Sequence, residues 1–229
     1  MASRAATGPG SRPVPVAREM AQVAREIDTV LPWVPRNAQR DLLIAGLALF
    51  REHGYHGTST RAVANAAGVS DAALYVHYRS KSALLLELEV AGHTAVLKAV
   101  EAAIAAAGDD PRRRLYAFVR AFTTWHAEHA SLARVVQYEL HALDEPGRAQ
   151  VMALRRRTEN LVAAELERGQ TMGMFEIEDL ETTRLVLLSL GIDVARWYRS
   201  GKSPEPEVLG ARYAAIAQLL LCARTEAAD

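Results

Sequence analysis

TSTRAVANAAGVSDAALYVHYRSK, residues 58–81, decides the fold. It reads as two short helices joined by a tight turn. Thr58 or Ser59 can cap the first, because a side-chain oxygen there accepts an orphan N–H of the first turn. Val63, Ala66 and Ala67 supply its apolar face. Gly68 stands where a left-handed C-cap favours a residue without Cβ. Ser70 caps a second helix from Asp71 to about Val76, and the acidic Asp71 suits the positive end of its dipole. Leu74 and Tyr78, spaced i, i+4, face inward together. Ala72, Ala73, Tyr75, Val76 and His77 remain on the other sides. A short helix, a glycine turn and a second helix with small residues at its outer N-terminus form a helix-turn-helix, whose second helix can enter a DNA major groove.

The wider stretch FREHGYHGTSTRAVANAAGVSDAALYVHYRSKSAL, residues 50–84, resembles the DNA-binding segment of the tetracycline-repressor (TetR) family of transcription regulators. The resemblance rests on Gly-Tyr, Thr-Ser, Val-Ala, Ala-Gly-Val-Ser, Leu-Tyr-x-His-Tyr and Lys-Ser-x-Leu. Two positions depart from it: Ala72 replaces a common Lys or Arg, and Ala73 a common Gly. The resemblance implies DNA contacts residue by residue. Thr60 and Lys81 match phosphate contacts, with Lys81 at a helix start where free N–H groups also meet an anion. Ser70, Ala72 and Ala73 lie at the tip of the reading helix. Tyr75 and His77 match positions that hold the DNA backbone. Phosphate contacts position a protein, whereas base-edge contacts specify sequence. The reading helix offers little beyond apolar contact from Ala72 and Ala73, so Arg61 is the best candidate for a direct base contact. Core packing is the preferred role for Tyr78, DNA contact for Tyr75.

Bulk properties agree with this reading. The 229 residues carry 27 Lys/Arg and 27 Asp/Glu, a formal charge of zero. Residues 1–85, which hold the motif, contain 10 basic and 6 acidic residues; residues 86–229 contain 17 and 21. The surplus in the reading half is small but has the sign that DNA requires. A single cysteine, Cys222, excludes an intrachain disulfide and suits a reducing, cytoplasmic setting. No apolar run is long enough for a membrane span, and no apolar signal-peptide core begins the chain.

Outward from the motif, the sequence predicts an all-α protein of about nine core helices. Residues 1–15 read as a disordered Pro/Gly/Ala/Ser arm whose Arg4 and Arg12 are best left uninvolved. Val16, Met20, Val23, Ile27, Val30 and Leu31 recur at spacings of three and four, so residues 16–31 form a short amphipathic helix outside the usual family pattern. Together they make an N-terminal segment 1–35, ahead of a DNA-binding domain 36–83 and a ligand-binding and dimerisation domain 84–229. A bracing helix from Asn37 to His53 stops at Gly54. The run from Ser82 to about Ala107 is long enough, about 39 Å, to join the reading head to a separate body. Further helices follow over Arg112 to His129, Ser131 (as cap) to about Leu143, and Arg148 to Gln170. A final hairpin pairs Leu180–Arg199 with 206–224. Its apolar residues on more than one side predict a four-helix bundle across a two-fold axis, hence a homodimer through the last two helices.

The second half carries no GxSxG, P-loop or GxGxxG, which argues against an enzyme, and no cofactor motif. His93, His126, His129 and His141 have no Asp or Cys partners at ligand spacing, so no metal site is expected. The family resemblance implies a ligand pocket within each body, with Phe122, Trp125, Tyr138, Met152, Arg196 and Trp197 as candidate walls, each equally suited to core packing. GIDVARWYRSGKSPEPEVLGARYAAIA, residues 191–217, resembles a subgroup controlling fatty-acid or steroid breakdown. That implies an acyl-CoA effector, a long apolar cavity, and cations at its mouth from Arg155, Arg156, Arg157 or Arg196. The expected function is a repressor released from a palindromic operator by a small molecule. The alternative is a helical ligand- or partner-binding protein with a vestigial head.

Overall fold

A computed structural model describes residues 17–222. The arm expected over residues 1–15, Val16 and the last two residues of the expected final helix lie outside them. Ten α-helices and one 3₁₀ turn account for the described chain, with no strand among the described residues. They are α1 (Ala17–Val30), α2 (Ala38–His53), α3 (Thr60–Ala66), α4 (Asp71–His77), α5 (Lys81–Ala106), α6 (Pro111–Glu128), α7 (Ala130–Tyr138), α8 (Glu145–Thr171), α9 (Leu180–Trp197) and α10 (Pro206–Cys222).

The caps explain most boundaries. Asn37, Ser59, Ser70, Ser80, Asp110, Asp144 and Asp179 each accept a hydrogen bond from a first-turn N–H. Ser59 therefore takes the cap of α3. Thr58 is buried, and its hydroxyl donates to the Leu49 and Gly54 carbonyls at 3.3 and 2.9 Å. At Gly68, φ is +70°. Val69 N–H reaches back to the Ala64 carbonyl at 3.0 Å, which closes a Schellman-type end for α3. The buried face of α3 is Val63 and Ala64; Ala66, expected inside, is exposed.

The helix start at α7 also differs from expectation. Ser131 does not cap it; no side chain of its own N-cap position does. Instead the Glu26 carboxylate, carried by α1, accepts from the Ser131 and Leu132 N–H groups at 3.3 and 2.8 Å. A contact spanning over a hundred residues replaces a local one. α7 also ends at Tyr138, earlier than expected, and the chain continues as a 3₁₀ turn over Leu140–Ala142.

Helices α2, α3 and α4 make the reading head, and α5 runs from its base into the body. Leu43, Leu47, Phe50, Val63, Leu74 and Tyr78 are buried in the same cluster as Leu84 and Leu85 at the start of α5. In the body, α6 is the hub, packing against α5, α8, α9 and most extensively α10. A half-buried bidentate ion pair between α6 and α8, Arg114 to Glu165 at 2.8 and 2.6 Å, fixes their register. α1 lies across both parts. It packs on α2 and α7, and is tied to α2 by Arg40–Asp28 at 2.6 and 2.7 Å and by Arg51–Glu19 at 3.0 Å.

Candidate nucleic-acid interface and effector cavity

Packing decides which side of the reading helix faces solvent. Leu74 and Tyr78 are consumed by the core, so the opposite side of α4 is exposed. It presents Ser70, Ala72, Tyr75, Val76 and His77, with Tyr75 55% and Val76 80% exposed. Ala73 is half-buried beside them. From α3, Arg61 is exposed and Thr60 half-buried. The sequence-derived residues of α3 and α4 are thus exposed or half-buried, and Lys81 differs from them in kind.

Lys81 points its ammonium inward. Nζ donates to the carbonyls of Tyr55 and Thr58 at 2.6 and 2.5 Å and stands 3.9 Å over the Tyr55 ring. Partial burial lowers its pKa. Lys81 therefore knits the α2–α3 loop to α5, and any role at phosphate passes through that loop. Val76 shares the exposed side of α4, and sequence reasoning gave it no role. Its signal was available: an exposed β-branched apolar residue one position past Tyr75 on a helix whose inner face was already filled.

In the body, a small cavity of about 40 Å³ lies among α5, α6, α7, α8 and α9. Phe122 and Trp125, two of the six candidate pocket residues, line it together with Leu188 and Ile192. Arg155, His93, His126, Gln137 and Thr158 also reach it. It is short and mixed in polarity, where a long apolar cavity was expected. Met152 is half-buried against the core and does not line it. Tyr138, Arg196 and Trp197 are on the surface outside it, and Arg196 pairs with Asp193 at 2.7 Å.

The polar groups near this cavity are poorly satisfied. Glu89 is fully buried, and neither carboxyl oxygen has a hydrogen-bond partner. The Nε2 of His93 has none either, and lies 3.6 Å from Glu89 Oε2, too far for a good hydrogen bond. Burial pushes Glu89 up to about 9 and His93 down to about 3, so at neutral pH both are uncharged. His126, also neutral through burial at about 4, spends Nδ1 on the Phe122 carbonyl at 2.8 Å. A neutral acid and a neutral imidazole with free positions can each donate or accept toward a ligand, whereas leaving them unpaired costs about 1–3 kcal/mol apiece. Sequence reading passed over Glu89. Its i, i+4 spacing to Leu85 and His93 marks the buried side of α5. No group of three or more His, Cys, Asp or Glu side chains among the described residues could hold a metal ion. No described helix is long and apolar enough to cross a membrane.

Known proteins share this architecture. Residues 42–88 match the family model for bacterial regulatory proteins of the tetR family, and residues 108–221 match a tetracyclin repressor-like C-terminal domain. An HTH-type transcriptional activator, FasR of Mycolicibacterium smegmatis, is 30% identical over 75% of this chain and 77% of its own length. An HTH-type transcriptional repressor, KstR2 of Rhodococcus jostii, is 29% identical over 77% of this chain and 87% of its own. The crystal structure of a tetR-family bacterial regulatory protein from Rhodococcus RHA1 superposes with a TM-score of 0.74 at 36% identity, covering 83% of this chain and all of that one.

Proposed function

This chain belongs to the TetR family of DNA-binding transcription regulators, and from that premise we propose that its homodimer represses transcription until an acyl-CoA thioester releases it from a palindromic operator. The observation that carries the reading is the exposed face of α4, where Tyr75 and Val76 stand open to solvent while Leu74 and Tyr78 anchor the helix from behind; Arg61 of α3 is exposed as well. Residues 36–83 form the DNA-binding domain and 84–229 the ligand-binding and dimerisation domain. Thr60, Arg61, Ser70, Ala72, Ala73, Tyr75 and His77 meet DNA directly, and Lys81 supports them from below. The proposed setting is the cytoplasm, where operator DNA is found.

Dimerisation through α9 and α10 is supported by their outer faces. Leu185, Val186, Leu190, Ile216, Leu219 and Leu220 are all exposed. So large an apolar surface on one pair of helices supports an interface there. A two-fold dimer of this kind sets its reading helices about 34–36 Å apart, one DNA turn.

The position of the unsatisfied groups supports effector control. Glu89 and His93 are on α5, the helix that starts at Lys81 in the head; Glu89 is about 12 Å along it. A thioester carbonyl can accept from the protonated Glu89, and Phe122 and Trp125 can pack beside it. The cavity is too small for the rest of such a ligand, so entry must part the surrounding helices and shift α5. A hundredfold loss of DNA affinity requires the effector to favour the released state by about 2.7 kcal/mol.

The test is fluorescence anisotropy of the full chain on labelled DNA from upstream of its own gene, across salt and with a panel of acyl-CoAs. Tight, salt-dependent binding abolished by one thioester is expected. Binding that no thioester disturbs discards the acyl-CoA assignment and keeps the regulator. Tyr75→Ala should weaken binding at least about tenfold while the dimer stays intact by light scattering; full-strength binding by that variant removes Tyr75 from the interface.

A further inference from the structure

Away from the reading face and the cavity, a half-open cleft of about 620 Å³ lies where α1, α2, α7 and the α9–α10 loop meet. Its volume is that of a small-molecule site. Arg25, Arg51, Arg134, Arg199 and Lys202 line it, against the single carboxylate of Glu19. These cations come from four separate parts of a chain whose formal net charge is zero, so the cluster is not the overflow of a basic protein.

Few of these charges are neutralised. Arg51 binds Glu19 at 3.0 Å and the Ser131 hydroxyl at 3.1 Å. Arg199 is anchored by its own helix end, donating to the Arg196 and Tyr198 carbonyls at 3.4 and 2.8 Å. Among the described residues, the side chains of Arg25, Arg134 and Lys202 make no ion pair. Like charges gathered in a concavity repel one another and focus a positive potential there. An anion relieves both effects, and guanidinium forks match phosphate oxygens in geometry. The chain's own N-terminal segment does not supply the countercharge: residues 1–16 include Arg4 and Arg12 but no Asp or Glu. No residue of the cleft also lines the interior cavity.

We propose that this cleft binds a small polyphosphorylated anion of nucleoside-diphosphate size, at a site separate from the effector cavity. One phosphate meets only some of five cations spread around about 620 Å³; a diphosphate bridges them. The anion competes with Glu19 for Arg51, and so bears on one of the two ties between α1 and the head. The site does not depend on the effector assignment or on DNA.

Isothermal titration of the full chain with ADP and with pyrophosphate, at low salt and without DNA, tests it. Both should bind saturably at one site per chain, and more weakly as salt rises. The exposed double variant R25E/R134E should weaken both by at least about tenfold. K98E/R113E, with the same charge change elsewhere on the surface, should leave both unchanged. If the first variant does not fold, K202E in the loop takes its place. Absence of saturable binding overturns the proposal, as does equal loss in both double variants. So does a R25E/R134E protein that keeps its ADP affinity and loses affinity for DNA, which would assign the cleft to the DNA backbone.

Discussion

Replacing Glu89 with Gln should stabilise the protein increasingly as pH rises. The carboxyl is fully buried, with no hydrogen-bond partner, and burial lifts its pKa from 4.5 to about 9. Folding between those values takes up a proton. A raised folded-state pKa contributes stability that is fully present below pH 4.5 and lost as pH climbs toward 9. At pH 7, about 2.5 pH units above the unfolded value, the loss is about 3 kcal/mol, roughly a quarter to a half of a typical domain's stability. Gln keeps the shape and polarity of the neutral acid but cannot ionise. The free-energy difference between variant and wild type should therefore grow by about 1.4 kcal/mol per pH unit between pH 5 and 9. Glu26, lifted to about 7 by burial, is present in both proteins and cancels in the difference. The assay is urea unfolding at fixed protein concentration, at each pH, for both. A difference that does not change with pH refutes the reasoning, because it would mean that Glu89 ionises as freely in the folded chain as in the unfolded one.

Three further outcomes are expected. Arg114→Met leaves Glu165 buried without its bidentate partner and should cost about 3–5 kcal/mol by chemical denaturation, most of it restored when Glu165→Leu is added. Gly210→Ala places a Cβ 2.2 Å from Thr124 Oγ1 and 2.7 Å from the Arg120 carbonyl, so α10 must back away from α6; about 1–3 kcal/mol should be lost, read as a lower melting temperature. Lys81→Met removes the donor to the Tyr55 and Thr58 carbonyls; it should lower stability by about 1–2 kcal/mol and slow amide exchange should be lost in the α2–α3 loop, whereas a pure phosphate contact would change DNA affinity alone.

The reading head was legible because its signals are local. Ser59, Gly68, Ser70 and Ser80 fix helix ends through contacts within a few residues, and Leu74 and Tyr78 mark the inner face by spacing alone. The all-α class, the long α5 and the last hairpin follow from the same periodicities. The candidate walls of the cavity were legible only in part. Phe122 and Trp125 sit on a strongly periodic α6, but Tyr138, Arg196 and Trp197 lie at helix ends, where periodicity does not say which way a side chain turns.

Sequence by itself determined the helices, the caps of the reading head and the reading motif, since each depends on hydrogen bonds and apolar spacing within one or two turns. Tertiary structure alone decided three things. It set Lys81 on backbone carbonyls instead of solvent. It supplied the N-terminus of α7 with a carboxylate from α1, more than a hundred residues away. It buried Glu89 beside His93 with nothing to bond. In each case the deciding neighbour is distant in sequence. The cost of burying a charge or leaving a polar atom unpaired depends on that neighbour and not on the residue's own position in its helix.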